Sequence, residues 1–203
     1  MTVSNIVFVI DDDQAARDSL TFLLDSNGFA VEIYESAVAF LDAGLGLQPG
    51  CVVTDVRMPG MDGISLLRHL RARGDNRAVI VVTGNADIPL AIEAIEAGAF
   101  DFVEKPYEAE MLLGAIRSAI DPQRRASTAN GQEETLSRFS TLSDRERQVF
   151  EGIVIGRSNG AVAKVLGITE RSVEVHWANA MTKMNAAGLA DLVRMALTLN
   201  RPE

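Results

Sequence analysis

The chain is poor in several things that would narrow its chemistry. Among its 203 residues there are one cysteine, one tryptophan, two histidines and two tyrosines, and aromatic side chains make up only 5%. The lone Cys51 can close no internal disulfide, and inside the apolar run Cys51–Thr54 it reads as a small buried hydrophobe rather than a reactive thiol. No apolar stretch approaches the ~18 uncharged residues of a membrane span, and residues 1–5 place no basic segment ahead of the apolar Ile6–Ile10. These absences predict a globular, cytoplasmic chain with no membrane partner. Positive charge is also scarce: a net charge of -9 argues against a surface that coats nucleic acid uniformly. The deficit is uneven, however. Residues 1–120 hold 8 Lys and Arg against 18 Asp and Glu, whereas residues 137–203 hold 9 against 7. An acidic front and a mildly basic tail suit two modules with different partners.

What is present begins with an alternation of short β-branched runs and helical patterns. Ile6–Ile10 is followed by 14–27, Ala30–Tyr34 by 36–43, Cys51–Thr54 by 63–73, Val79–Thr83 by 88–97, and Asp101–Val103 by 108–120. Five such repeats predict an α/β fold, a doubly wound five-stranded parallel sheet over residues 1–120. Gly28 and Gly98 stand where a left-handed helix terminator is wanted, and Ser36 where an N-cap is wanted.

In such a sheet the ligand site lies beyond the carboxyl ends of the strands. Asp11 and Asp12 follow the first strand, Asp55 the third, Thr83 the fourth and Lys105 the fifth. Each has an ordinary explanation alone, as a cap, a turn opener or a solvated lysine, but together they form a constellation. Crowded carboxylates repel one another unless a cation joins them. Mg²⁺ fits, because it needs only one or two carboxylates and keeps several waters. Asp12 and Asp55 are the expected direct ligands, with the Arg57 carbonyl as a third and Asp11 acting through water. Asp55 is then the expected nucleophile for a phosphoryl group, with Lys105 neutralising charge on the transferred oxygens.

The set Asp11-Asp12, Asp55 with Met58-Pro59-Gly60-Met61-Asp62-Gly63, Thr83-Gly84 and Lys105-Pro106 resembles the receiver domain of bacterial two-component response regulators. The resemblance implies a flavodoxin-like fold, a sensor histidine kinase that phosphorylates Asp55, and a rearrangement of Thr83 and Phe102 when the phosphate arrives. It also implies a cis Lys105–Pro106 bond, and a homodimer formed on phosphorylation through residues of about 88–120. Phe102 stands where many receivers have tyrosine, so a hydroxyl contact on switching is unavailable.

Residues 121–136 lose the apolar period and read as a linker. The tail, 137–203, restarts with Ser143-Asp144-Arg145-Glu146, a capping-box pattern. Gly156 closes that helix, Asn159–Leu166 forms a second ended by Gly167, and Thr169 caps a third running to about Met184. A small all-α domain with a helix-turn-helix corner is expected. On the third helix Val173, Trp177, Ala180 and Met184 share the core face, while Arg171, Val175, Ala178, Asn179 and Thr182 lie opposite. That face suits a major groove, where Asn179 can bond adenine and Val175 can touch a thymine methyl. Arg171 and Lys183 are the expected phosphate contacts.

The strings Leu142–Val149, Ala163–Thr169 and Arg171–His176 resemble the LuxR/NarL-type helix-turn-helix module, and the whole chain resembles FixJ/NarL-class response regulators. The resemblance adds Glu174 to the DNA-facing set, makes residues 188–199 a dimerising helix, and names promoter double-stranded DNA as partner, with RNA polymerase as a further candidate. Gly160 and Trp177 depart from the family pattern, at positions where Lys or Glu and Arg are common, and are expected to weaken DNA binding. Two other readings stay open: a receiver-controlled tail that binds protein, and an aspartyl-phosphate phosphatase built on the Asp-x-Asp spacing in Asp11-Asp12-Asp13.

Overall fold

The structure is a computed structural model that describes residues 6–44, 48–84, 88–121, 132–186 and 189–199. The chain divides into two compact units, whose main parts are residues 1–86 with 93–127, and residues 128–203.

In the first unit β1 (Ile6–Ile10), β2 (Ala30–Tyr34), β3 (Cys51–Asp55), β4 (Ala78–Thr83) and β5 (Asp101–Glu104) form one parallel sheet in the order β2-β1-β3-β4-β5. Between and after them lie α1 (Gln14–Asp25), α2 (Ala37–Asp42), α3 (Gly63–Ala72), α4 (Ile88–Glu96) and α5 (Ala109–Ile120). This is the expected doubly wound sheet. β3 and β5 run one residue further than the sequence suggested, and β4 starts one earlier. Strand order reverses between β1 and β3, which puts a crevice at their carboxyl ends.

The strands read as continuous apolar runs because both faces of the sheet are covered. Val7, Val9, Val53, Ile80 and Val82 face Leu20 and Leu24 of α1 and Leu112 and Ile116 of α5. On the other face Phe8 meets Phe40 of α2 edge-on, ring centroids 5.8 Å apart, and α3 packs on β4. There the buried Arg77–Asp75 pair lies beside the same rings, with the guanidinium 5.1 Å from Phe8 and 5.2 Å from Phe40. Helix starts are fixed locally: the side chains of Asp13, Ser36 and Asp62 accept the N–H of Ala15, Ala39 and Ser65. Gly28 and Gly98 take φ of 81° and 94°, the left-handed geometry expected of them.

The second unit comprises α6 (Gln132–Ser140), α7 (Asp144–Val154), α8 (Asn159–Leu166), α9 (Glu170–Met184) and α10 (Leu189–Leu199). Of the stretch 121–136 read as linker, 122–131 lie outside the described residues, while 132–136 open α6. The sequence concealed this helix because so little of it is apolar: Phe139 packs edge-on against Phe150 at 5.5 Å, Thr135 is buried, and Arg138 donates to the Met184 carbonyl at 3.2 Å. α7 starts with the expected capping box between Ser143 and Glu146. Gly156 and Gly167 take φ of 83° and 66°, and Thr169 caps α9 by accepting the Ser172 N–H. Val149, Ile153, Val162, Ala163 and Val173 form one core cluster of this unit, and Phe150, Val154, Ala180, Met184 and Leu192 another. Trp177 packs against both, as its helical position required.

Candidate functional site

At the carboxyl ends of the first unit's strands, one cation holds two acids. The Lys105 ammonium donates to Asp11 Oδ2 and to Asp55 Oδ1, each at 2.8 Å. Asp55 Oδ2 accepts the Arg57 N–H at 2.6 Å, and Asp11 Oδ1 the Asp13 N–H at 2.9 Å. Both carboxylates are nearly enclosed, their side chains 11% exposed, and the Lys105 side chain is 30% exposed. Burial alone would lower the Lys105 pKa; the hydrogen bonds and charges of Asp11 and Asp55 outweigh it and push the value up to about 12. The Lys105–Pro106 bond is cis, as the resemblance implied. Lys105 also donates its backbone N–H to the Thr83 carbonyl at 2.7 Å, so β4 and β5 end together at this site. Thr83 is fully buried.

Asp12 does not join the cluster: it is exposed beside Asp11, and among the described residues no three His, Cys, Asp or Glu side chains form a ready-made metal group. Lys105 draws Asp11 and Asp55 together, and Asp12 stands exposed next to Asp11 in the chain. Two carboxylates, a rim acid and the Arg57 backbone are hard oxygen donors that leave coordination positions to water. This donor set fits Mg²⁺ and not a closed protein cage.

Phe102 lies on the inside of this corner. Its side chain is buried, with 5% exposure. In the acidic run that suggested a phosphatase, Asp13 is committed as the N-cap of α1, accepting the Ala15 N–H at 2.8 Å.

Two residues of this site had no clear sequence signal. Gly63 read as a turn residue, yet a Cβ there would lie 2.2 Å from the Asp55 carbonyl oxygen; α3 begins on top of the strand end that carries Asp55. Its N–H donates to the Val56 carbonyl at 3.0 Å. Arg17 reaches back from α1 to the Asp11 carbonyl at 2.6 Å and fixes the loop that carries Asp12. Each takes its place from how the chain folds back on itself over six to eight residues, Arg17 onto Asp11 and Gly63 onto Asp55 and Val56, which the sequence pattern does not signal.

In the second unit Arg171, Glu174, Val175, Ala178, Asn179 and Thr182 all lie exposed along α9. Val175 is 54% exposed. The Thr182 hydroxyl is turned back to the Ala178 carbonyl at 3.0 Å. Lys183 is placed differently from the expectation: its ammonium donates to Glu146 Oε2 at 2.6 Å and to the Thr141 carbonyl at 3.4 Å. The Lys183 hydrogen bond, with the N–H of Ser143, pulls the buried Glu146 carboxyl down to about 2. This lysine ties α9 to the start of α7 and is not a free phosphate ligand.

Comparison with known proteins agrees with both halves. Residues 7–117 match the response regulator receiver domain and residues 140–196 the bacterial regulatory proteins of the luxR family. The transcriptional regulatory protein FixJ of Azorhizobium caulinodans is 53% identical over 195 residues, covering 94% of this chain and 91% of that one. The response regulator protein TodT of Pseudomonas putida is 40% identical over 194 residues, covering 95% and 85%. Among solved structures, full-length FixJ from B. japonicum shares 48% identity over 95% of this chain and 96% of its own, with a TM-score of 0.55. The chain therefore belongs to the response regulators, as a FixJ-like transcription factor that joins a receiver domain to a LuxR-type DNA-binding domain.

Proposed function

We propose that a sensor histidine kinase transfers a phosphoryl group to Asp55 and that this controls promoter binding by the second unit. The observation that carries the reading is the Lys105 ammonium shared between Asp11 and Asp55 at 2.8 Å each. A carboxylate oxygen of Asp55 attacks phosphorus, the P–N bond to the kinase imidazole breaks, and the departing nitrogen takes a proton from solvent. Lys105 follows the oxygens of the transferred group, where a fixed cation is worth far more than in water. Asp11, Asp12, Asp55 and the Arg57 carbonyl would hold Mg²⁺. When bound, that ion draws charge off the phosphoryl oxygens.

The phosphate gives Thr83 a new acceptor, and β4 and β5 move together because the Lys105 N–H joins them. With Phe102 already enclosed, the change passes to the face formed by residues of about 88–120 through the strand ends rather than through a turning ring. That face pairs two receivers. A receiver over 1–120 and a DNA-binding part over 137–203 suit this reading, with α6 opening ahead of the latter at Gln132. Asn179 and Val175 read bases, with Glu174, Ala178 and Thr182 lining the groove and Arg171 on phosphate; RNA polymerase is a further partner.

Incubation with Mg²⁺ and acetyl phosphate should label Asp55 in the wild type and leave Asp55→Asn unlabelled, and sedimentation should show a dimer in the labelled protein only. Label persisting in Asp55→Asn refutes the assignment. A labelled protein that stays monomeric while gaining DNA affinity refutes dimerisation and leaves the phospho-acceptor in place.

A further inference from the structure

Gly160, one of the two departures from the family pattern, lies against an acid. Glu170, the first residue of α9, rests its carboxylate on the first turn of α8: a Cβ at Gly160 would be 3.0 Å from Glu170 Oε1 and 3.5 Å from its Cδ. Gly160 has no left-handed φ, so the backbone does not demand glycine there; the missing side chain provides the space. Among the described residues Glu170 has no hydrogen-bond or ion-pair partner for its carboxylate, although Lys164 and Arg171 are exposed on the same two helices.

In a helix-turn-helix the N-terminal residues of the second helix approach the bases while the first helix crosses the backbone. Glu170 stands at that N-terminus and Gly160 in the first turn of the preceding helix. An unpaired carboxylate at this corner faces a polyanion carrying one charge per about 1.7 Å of axis. We infer that Glu170 is a charge brake on DNA affinity, and that the lack of a side chain at Gly160 keeps the brake free of a neutralising partner. The inference rests on the DNA-binding reading of the second unit. Sequence-independent affinity comes almost wholly from phosphate charge, so the brake weakens every duplex alike. It keeps a single tail below useful occupancy, and a tethered pair recovers it through effective concentration.

An acid in the first helical turn has another role, support of α9 through the helix dipole. It could also accept a hydrogen bond from a cytosine amino group. The three roles differ in the sign and breadth of their effect. The test is fluorescence anisotropy of the full-length protein, treated with Mg²⁺ and acetyl phosphate, on a mixed-sequence duplex and an A·T-only duplex over a salt series. Glu170→Gln should bind both duplexes about three- to tenfold more tightly at low salt, the advantage shrinking as salt rises. Gly160→Lys, which places an ammonium beside the carboxylate, should gain at least as much.

Unchanged affinity in both variants at all salts overturns the brake. Weaker binding by Glu170→Gln to both duplexes, with Gly160→Lys unchanged, assigns the acid to helix support. Loss confined to the mixed duplex assigns it to base reading. Should the wild type and both variants bind neither duplex at low salt, the DNA-binding reading itself falls and the brake with it; wild-type binding with unimproved variants removes the brake alone.

Discussion

Gly63→Ala probes how Asp55, the proposed phospho-acceptor, is held. A Cβ at this position would stand 2.2 Å from the Asp55 carbonyl oxygen and 3.1 Å from the Thr54 hydroxyl. Neither obstacle can swing aside, since one is backbone and the other is a fully buried side chain. α3 and the end of β3 must then separate by about 1 Å to reach van der Waals distance. Overpacking of this kind costs about 1 to 3 kcal/mol, and stretching the Gly63–Val56 hydrogen bond adds about 1 kcal/mol. The lower backbone entropy of alanine offsets roughly 0.5 to 1 kcal/mol. A net loss of about 2 kcal/mol is expected, and a displacement of about 1 Å at the reacting carboxylate should slow labelling by about a hundredfold. Urea unfolding followed by circular dichroism measures the first effect, with fluorescence of Trp177, the only tryptophan, reporting the second unit separately. Radiolabel incorporation measures the second effect. An alanine variant with an unshifted urea midpoint and a labelling rate within about twofold of wild type would show that α3 does not press on the strand end as described.

Asp75→Asn breaks a buried pair whose side chains are each 9% exposed, and should cost about 3 to 5 kcal/mol in urea unfolding. Burial opposes ionisation of Asp75, but the Arg77 hydrogen bonds and charge hold its pKa below the ordinary value; its stabilising contribution is therefore present above the usual aspartate range and lost as pH falls through the depressed value, which acid unfolding of wild type against variant will show. Glu146, pulled down to about 2, follows the same sign: Trp177 fluorescence should report loss of second-unit stability as pH falls from the ordinary glutamate range towards about 2, and Glu146→Gln should be less stable at neutral pH with a flatter acid profile. Asn179→Ala should lose about 1 to 3 kcal/mol on a selected site and almost nothing on random duplex; equal losses on both would place Asn179 on the phosphate backbone.

Most of the fold was legible because its signals are local. Five apolar runs bounded by turn residues, a Ser-x-x-Glu box and glycines at helix ends each act within a few residues, and the structure realises them as strands, caps and left-handed terminators. The strand-end constellation was legible for a related reason: parallel topology carries the ends of β1, β3, β4 and β5 to one edge whatever the details of packing. What spacing could not supply was how the charges divide. Three acids suggested a metal trio, but a lysine 94 residues from Asp11 in sequence gathers two of them, and the third remains exposed. Lys183 looked like a free cation on the DNA side of α9 because its partner, Glu146, had been read only as a capping residue. α6 went unread because its apolar residues are few: Phe139 packs edge-on against Phe150 of α7, whereas Leu136 is half exposed.

Lys105 joins the two levels of organisation in the first unit. Through its side chain it touches the ends of β1 and β3, and through its backbone N–H it is bonded to the end of β4, while it directly follows β5. In the unmodified chain its one charge is divided between two carboxylates. The proposed phosphorylation would turn the Asp55 carboxylate into an acyl phosphate and move the negative charge that Lys105 faces outward onto the phosphoryl oxygens. The ammonium then gains more from following that charge than from remaining midway between two acids. Its backbone is bonded to Thr83, so a displacement of the side chain's anchor is also a displacement of the β4 and β5 ends. A ligand shifts an equilibrium only by its differential interaction with the two states. Here that difference is the exchange of a shared carboxylate pair for a phosphoryl group, made at a residue that connects the acid cluster to the strands bordering residues 88–120.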